Sequence, residues 1–194
     1  MSSHSKPSYP VNLILKDRPC LLVGGGNIAV RKIQALVAAG AAVTVVAPEI
    51  RDEIRALPVR LFERRYQRGE VASYRLAVTC TDDPAVNAQV FADGEAAGVW
   101  VNSADDPTNC AFTLPAVAWQ GDLSVAISTA GRSPAMATWL RRRFQQEFDA
   151  TYIDLMDLLA EVRTEARSRF GTSEIIGWQE ALDAGVYDLS LIHI

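Results

Sequence analysis

Apolar residues arrive along this chain in short unbroken runs separated by amphipathic stretches. Cys20–Val23 (CLLV), Val43–Ala47 (VTVVA) and Leu76–Thr79 (LAVT) are near-continuous apolar runs, the pattern of strands buried on both faces of a parallel sheet. From Asn27 to Ala39 the residues Ile28, Ile33, Leu36 and Val37 recur at helical spacing, and Gly40 stands where a helix C-cap belongs. Strand, glycine turn, helix and strand within about 30 residues make a βαβ unit. Further on, Glu49–Leu57 predicts a short helix and Arg60–Arg64 an exposed-edge strand. Asp83-Pro84 reads as an N-cap with proline at the first helical position, opening a helix that Gly98 ends. Trp100–Asn102 is a fifth strand. Repeats of this spacing predict a doubly wound, Rossmann-type parallel sheet of the α/β class.

After Asp105-Asp106-Pro107 the pattern changes. Phe112–Trp119 and Leu123–Ser128 are β-type runs around Gly121-Asp122, which predicts a hairpin rather than a crossover. Gly131-Arg132-Ser133-Pro134 opens a helix to about Phe148, Tyr152–Phe170 is amphipathic, and Ser173–Ala184 predicts one more helix. The expected organisation is a Rossmann-type domain over 1–111, a hairpin and helix over 112–148, and a small helical domain over 149–194.

Composition narrows the function classes. The 194 residues are 49% apolar and 22% charged with a net charge of −4, an ordinary globular balance. No domain is strongly basic, which argues against a nucleic-acid footprint. No apolar run reaches the roughly 18 residues of a membrane span, and the polar opening Met1–Pro10 lacks a secretory signal pattern. Three scattered cysteines without a CxxC pair suggest reduced thiols and a cytoplasmic setting. Only His4 and His193 are histidines; a histidine-based triad or metal cluster would have to use the chain ends. Acid–base chemistry must therefore lean on carboxylates, hydroxyls or thiols.

Gly24-Gly25-Gly26-Asn27-Ile28-Ala29 fits G-x-G-x-x-A between a strand and a helix. Gly24 permits the tight turn, Gly26 lets the backbone approach a pyrophosphate, and Ala29 allows close helix–strand packing. Backbone N–H groups at Gly26–Ile28, with the helix dipole, then offer an anion site. The competing explanation is a turn that merely packs a helix on a sheet. Glu49, 23 residues after Gly26, stands near the spacing for an acid on the adenine ribose, or it caps the helix after Pro48. An acid facing the ribose favours NAD over NADP, while Arg51 keeps the phosphorylated form open. A short-chain reductase is excluded, because no tyrosine has a lysine four residues on.

Three motifs in order, GGGNIAVRK (Gly24–Lys32), Asn102-Ser103-Ala104-Asp105-Asp106-Pro107 and Gly131-Arg132-Ser133-Pro134, change the picture. With Thr81-Asp82-Asp83 and Phe112–Ala116 between them, the chain over roughly 9–148 resembles the precorrin-2 dehydrogenases. That family includes bifunctional dehydrogenase–ferrochelatases and the N-terminal part of siroheme synthase. The resemblance implies NAD-dependent oxidation of precorrin-2 to sirohydrochlorin, in some members followed by Fe²⁺ insertion. It also implies a homodimer built through the hairpin and the helices after it. The family's catalytic aspartate falls on Asp105, and its cofactor contacts fall on Asn27, Ile28, Pro48 and Glu49. Asn102, in the same motif as Asp105, is taken with Arg132 and Ser133 as substrate-binding.

The chemistry of the residues is compatible with this. Oxidising a reduced tetrapyrrole sends a hydride to the nicotinamide and a proton to a base, and one carboxylate suffices for the latter. Asp105 follows the fifth strand and so falls at the carboxyl edge of the sheet, where such folds bind ligands. By position alone a turn aspartate hydrogen-bonding its own backbone is the simpler reading, and it is the resemblance that favours catalysis. An octacarboxylate substrate calls for cations and N–H donors; Gly131–Pro134 places a guanidinium, a hydroxyl and a helix N-terminus together, or is simply a serine cap. Arg141–Arg143 reads as a solvated or interface face. The rings of Trp100, Trp119 and Trp139 read as core or dimer contacts. The rival from another class is a non-catalytic NAD-sensing module, which would need the glycine turn and Glu49 but neither Asp105 nor Arg132.

Overall fold

The computed structural model describes residues 8–104, 106–174 and 177–186. The chain divides into two compact units, Tyr9–Thr113 and a second that takes in the chain from Leu114 onward.

The first unit is built on five parallel strands, β1 (Pro19–Val23), β2 (Ala42–Ala47), β3 (Arg60–Glu63), β4 (Leu76–Thr79) and β5 (Trp100–Ser103). They lie in the order β3-β2-β1-β4-β5, so the chain reverses its direction of travel across the sheet between β1 and β4. The registers Val23↔Val46, Val23↔Thr79 and Thr79↔Ser103 bring the carboxyl ends of β2, β1, β4 and β5 into line. Because β1 is covered on both sides, its side chains alternate between two cores. Cys20 and Leu22 pack with Ile33 and Leu36 of α1 (Asn27–Ala38), while Leu21 and Val23 pack with Val90 of α3 (Pro84–Ala97). Leu21, Leu22, Ile33 and Val90 are completely buried, each such side chain contributing about 1.5–3 kcal/mol to folding. Burial pushes the Cys20 thiol up to about 11.

Local chemistry sets the helix ends. Asp83 accepts from the N–H groups of Ala85 and Val86 and precedes Pro84, and Gly98 closes α3 in the left-handed conformation at φ 68°. The short helix after β2 is only α2 (Asp52–Arg55), capped by Arg51 without a side-chain bond. Glu49 therefore does not cap it, and its side chain is exposed.

In the second unit, β6 (Ala116–Gln120) and β7 (Leu123–Ile127) form an antiparallel hairpin closed at Gln120↔Leu123. The expected strand from Phe112 starts four residues later. Phe112 packs on the first core and its carbonyl accepts from Asn102, and Pro115 then interrupts pairing because it has no N–H to give. That same hold on Phe112 moves the unit boundary past the expected residue 111. α4 (Pro134–Glu147) packs across the hairpin, and the Gln145 amide bonds both the N–H and the C=O of Trp119 at 3.2 and 2.6 Å. α5 (Ala150–Phe170) follows after an Asp149 cap. The helix expected over 173–184 is reduced to α6 (Trp178–Ala181) and a π-type turn, Leu182–Val186. Trp100, Trp119 and Trp139 are not core residues of this chain: they are 50%, 58% and 55% exposed. No helix among the described residues is long and apolar enough to cross a membrane.

Candidate functional site

Five loops leave the carboxyl edge of the parallel sheet, and three of them carry candidate site residues. The first, between β1 and α1, is the glycine turn. Gly24 sits at φ 128°, and a Cβ there would lie 2.5 Å from the Cys80 carbonyl oxygen. A Cβ on Gly25 would collide with the carbonyl oxygen of Glu49. Around Gly26 the space where a Cβ would stand is open. The turn is thus pressed against the chain just after β4 and β2 on its first two residues and faces solvent on the third. Gly25, the residue the motif leaves unspecified, is as constrained as Gly24. Three successive glycines are the only sequence signal of this, and they do not tell which one meets what.

Gly26 is also the N-cap of α1, with no side chain satisfying the first turn. Its successors Asn27 and Ile28 are exposed while Ala29 is buried against the sheet. The unpaired N–H groups of that turn and the positive end of the helix dipole therefore face outward together over Gly26–Ile28, the chemistry a pyrophosphate needs. The second loop, Pro48-Glu49, reaches the same place: the Glu49 carbonyl abuts Gly25, and the Arg51 N–H donates to the Gly25 carbonyl at 3.2 Å. The exposed Glu49 carboxylate thus belongs to the glycine turn's surroundings, beside the switch in strand order where such sheets bind nucleotides. This cradle fits a dinucleotide.

The third loop follows β5. Asn102 is buried; its amide donates to the Phe112 carbonyl at 2.9 Å and approaches the Cys110 sulfur at 3.5 Å. Ser103 N–H donates to the same sulfur at 3.3 Å, and the thiol reaches the carbonyls of Ser103 and Asp106 at 3.3 and 3.2 Å. Beneath it the hydroxyl of Thr79 donates to that of Ser103 at 2.9 Å. Asn102 is thus placed as an anchor under the loop rather than as a group on its surface. Cys110, which the sequence presents only as a lone thiol, is the loop's hub. Asp106 accepts from Thr108 N–H, Asn109 N–H and, at 2.6 Å, the Asn109 amide. The Asn109 amide, ahead of the backbone bonds, holds the Asp106 carboxyl below its ordinary range. Asp106 is the turn residue the sequence expects. Asp105, His4 and His193 lie outside the described residues.

Arg132 and Ser133 belong to the second unit. Ser133 caps α4 by accepting from Met136 N–H at 3.1 Å, and Thr129 ties the turn by bonding both the N–H and C=O of Ser133. Ala130 and Gly131, at φ 51° and 76°, turn the chain into that cap, and Arg132 is exposed beside it. The serine-cap explanation holds and leaves the guanidinium available.

Comparison with known proteins agrees with this arrangement. A family model described as NAD(P)-binding matches residues 11–116, and the model of the sirohaem biosynthesis protein central domain matches residues 120–147. The siroheme synthase of Methylobacillus flagellatus is 37% identical over 171 residues, 86% of this chain and 37% of that protein. The one from Methylococcus capsulatus is 36% identical over 188 residues, 94% of this chain and 40% of that protein. The chain thus spans about two-fifths of the length of these curated relatives. Among solved structures, SirC, a precorrin-2 dehydrogenase, superposes with a TM-score of 0.75 at 30% identity, over 96% of this chain and 94% of that one. A solvent-facing glycine cradle on a sheet of this order, continued by a hairpin unit and matched along both chains, makes this protein a member of the precorrin-2 dehydrogenase family, the family shared with siroheme synthase.

Proposed function

We propose that the protein oxidises precorrin-2 to sirohydrochlorin with NAD as the acceptor, a step of siroheme biosynthesis. The observation that carries this is the glycine turn: two glycines pressed against backbone, and a third left open beneath an uncapped helix end and the exposed Glu49. Family membership supports the choice of substrate. Bound NAD would supply the hydride acceptor. The N–H groups of Gly26, Asn27 and Ile28 would hold its pyrophosphate, Gly24 and Pro48 would shape the cradle, and Glu49 would accept from the adenosine ribose hydroxyls.

Asp105 is assigned the proton. With bound NAD as the two-electron acceptor, Asp105 would take the one proton that the substrate must lose, and a single base near neutral pH suffices for that. Asn102 and Cys110 hold the loop that carries it. Arg132, Ser133 and the N-terminus of α4 are assigned to the substrate's carboxylates, where a guanidinium gives charge-assisted bonds. The exposed apolar residues of the second unit, Leu114, Trp119, Met136 and Trp139, support a homodimer formed through the hairpin and α4. None of the three cysteines is in a disulfide, which suits the cytoplasm.

An anaerobic assay of the full chain with precorrin-2 tests the proposal. NADH should form only when NAD, substrate and protein are all present. Binding of NAD without turnover would favour the NAD-sensing module instead. Adding Fe²⁺ to the product reads chelation separately: siroheme formed faster than without protein would assign that second step to this chain.

A further inference from the structure

Arg51 is anchored at the glycine turn through its own backbone, two residues after Glu49, and a guanidinium there is suited to the 2′-phosphate of a phosphorylated dinucleotide. It is already engaged. Its Nε and Nη2 donate to the two carboxylate oxygens of Glu53 at 3.1 and 2.7 Å, the two-pronged geometry in which guanidinium and carboxylate match. Glu53 lies in the first turn of α2, so the start of that helix fixes it opposite Arg51. The next cation, Arg55, is taken as well, by Glu63 at 2.6 and 2.8 Å. The Arg51 contact in turn holds the Glu53 carboxyl below its ordinary range, so the pair stays charged at neutral pH.

We propose that Glu53 is a specificity-determining residue: by occupying Arg51 it withholds the cation that a 2′-phosphate requires and turns the site against NADP. This rests on the assignment of the glycine turn and Glu49 to the cofactor. A phosphate approaching the adenosine ribose here meets the Glu49 and Glu53 carboxylates and no uncommitted guanidinium between β2 and β3, where Arg51 and Arg55 are both paired. Discrimination then comes from unfavourable contacts to the wrong ligand as much as from favourable ones to the right one. Because both side chains of the pair are about half exposed, at 45% and 55%, the lock is a weak one. Its effect is several-fold and sensitive to salt.

The test is a titration of the full chain with NAD and with NADP, at low and high salt. It compares the wild type, Glu53→Ala and the double variant Arg51→Ala/Glu53→Ala. Glu53→Ala should leave NAD affinity within about twofold and tighten NADP by about three- to fivefold at low salt, the span expected of an exposed pair. The gain should shrink at high salt and vanish in the double variant. An unchanged NADP affinity in Glu53→Ala, a gain that survives loss of Arg51, or an equal loss of both dinucleotides would each overturn the proposal. A wild-type chain that binds neither dinucleotide would instead remove the assignment of the glycine turn, and this inference with it.

Discussion

Gly25 and Gly26 are neighbours of identical chemistry, yet one is wedged against the Glu49 carbonyl and the other faces open space. Substitutions should separate the two roles. Gly25→Ala forces a methyl into backbone and should cost about 1–3 kcal/mol, read as a lowered melting temperature. Gly26→Asp should melt like the wild type, since its backbone at φ −89° suits any residue. It should nonetheless abolish NAD binding in a titration, because the carboxylate would occupy and repel the pyrophosphate site. At this scale the motif marked Gly24 for its tight turn and left Gly25 unspecified, although both meet backbone where a Cβ would stand. Cys110 was silent too: its partners Asn102, Ser103 and Asp106 come together only when the chain turns back beside β5. Lone residues whose function is a non-local contact leave no spacing to detect.

Between elements, the clearest polar junction joins the β3–β4 connection to α3. The Asp93 carboxylate accepts from the Tyr66 hydroxyl, the Gly69 N–H and the Gln89 amide at 2.9, 2.7 and 2.7 Å. Burial pushes its pKa up, but these bonds outweigh burial and hold it below the ordinary carboxylate value, while burial and Asp93 together raise that of Tyr66. A carboxyl whose folded pKa is depressed contributes stability above its unfolded pKa, near 4, and loses it as pH falls through the folded value. Melting temperature should therefore fall with acidification below about pH 4, and less steeply in Asp93→Asn than in the wild type. None of this junction was legible in advance, because Tyr66 and Asp93 are 27 residues apart. The elements themselves were legible where caps punctuate them, as at Asp83-Pro84, Gly98 and Ser133-Pro134. They were misjudged where punctuation is tertiary. Phe112 looks like the start of a strand and is instead pinned to the first unit, and past residue 173 the α-helix begins only at Trp178, after an N-cap at Gly177.

For the whole molecule, the unit Tyr9–Thr113 holds its own two-sided core, whereas the second unit rests on a two-stranded hairpin with large apolar residues exposed. An isolated hairpin is marginal in water and its open edges invite a partner. The full chain should sediment as a dimer at micromolar concentration, and Trp119→Glu should shift it to monomer without lowering NAD affinity. A wild-type monomer would contradict the assembly proposed. The proposal that the molecule is an oxidoreductase with Asp105 as its base is tested most directly by NADH absorbance over time with precorrin-2 at saturating NAD. The measurement compares the wild type with Asp105→Ala and Asp106→Ala. The expected outcome is a loss of about 10²–10⁴-fold in Asp105→Ala, with NAD affinity unchanged and Asp106→Ala only mildly slowed. A fully active Asp105→Ala, or equal slowing of both variants, would contradict it.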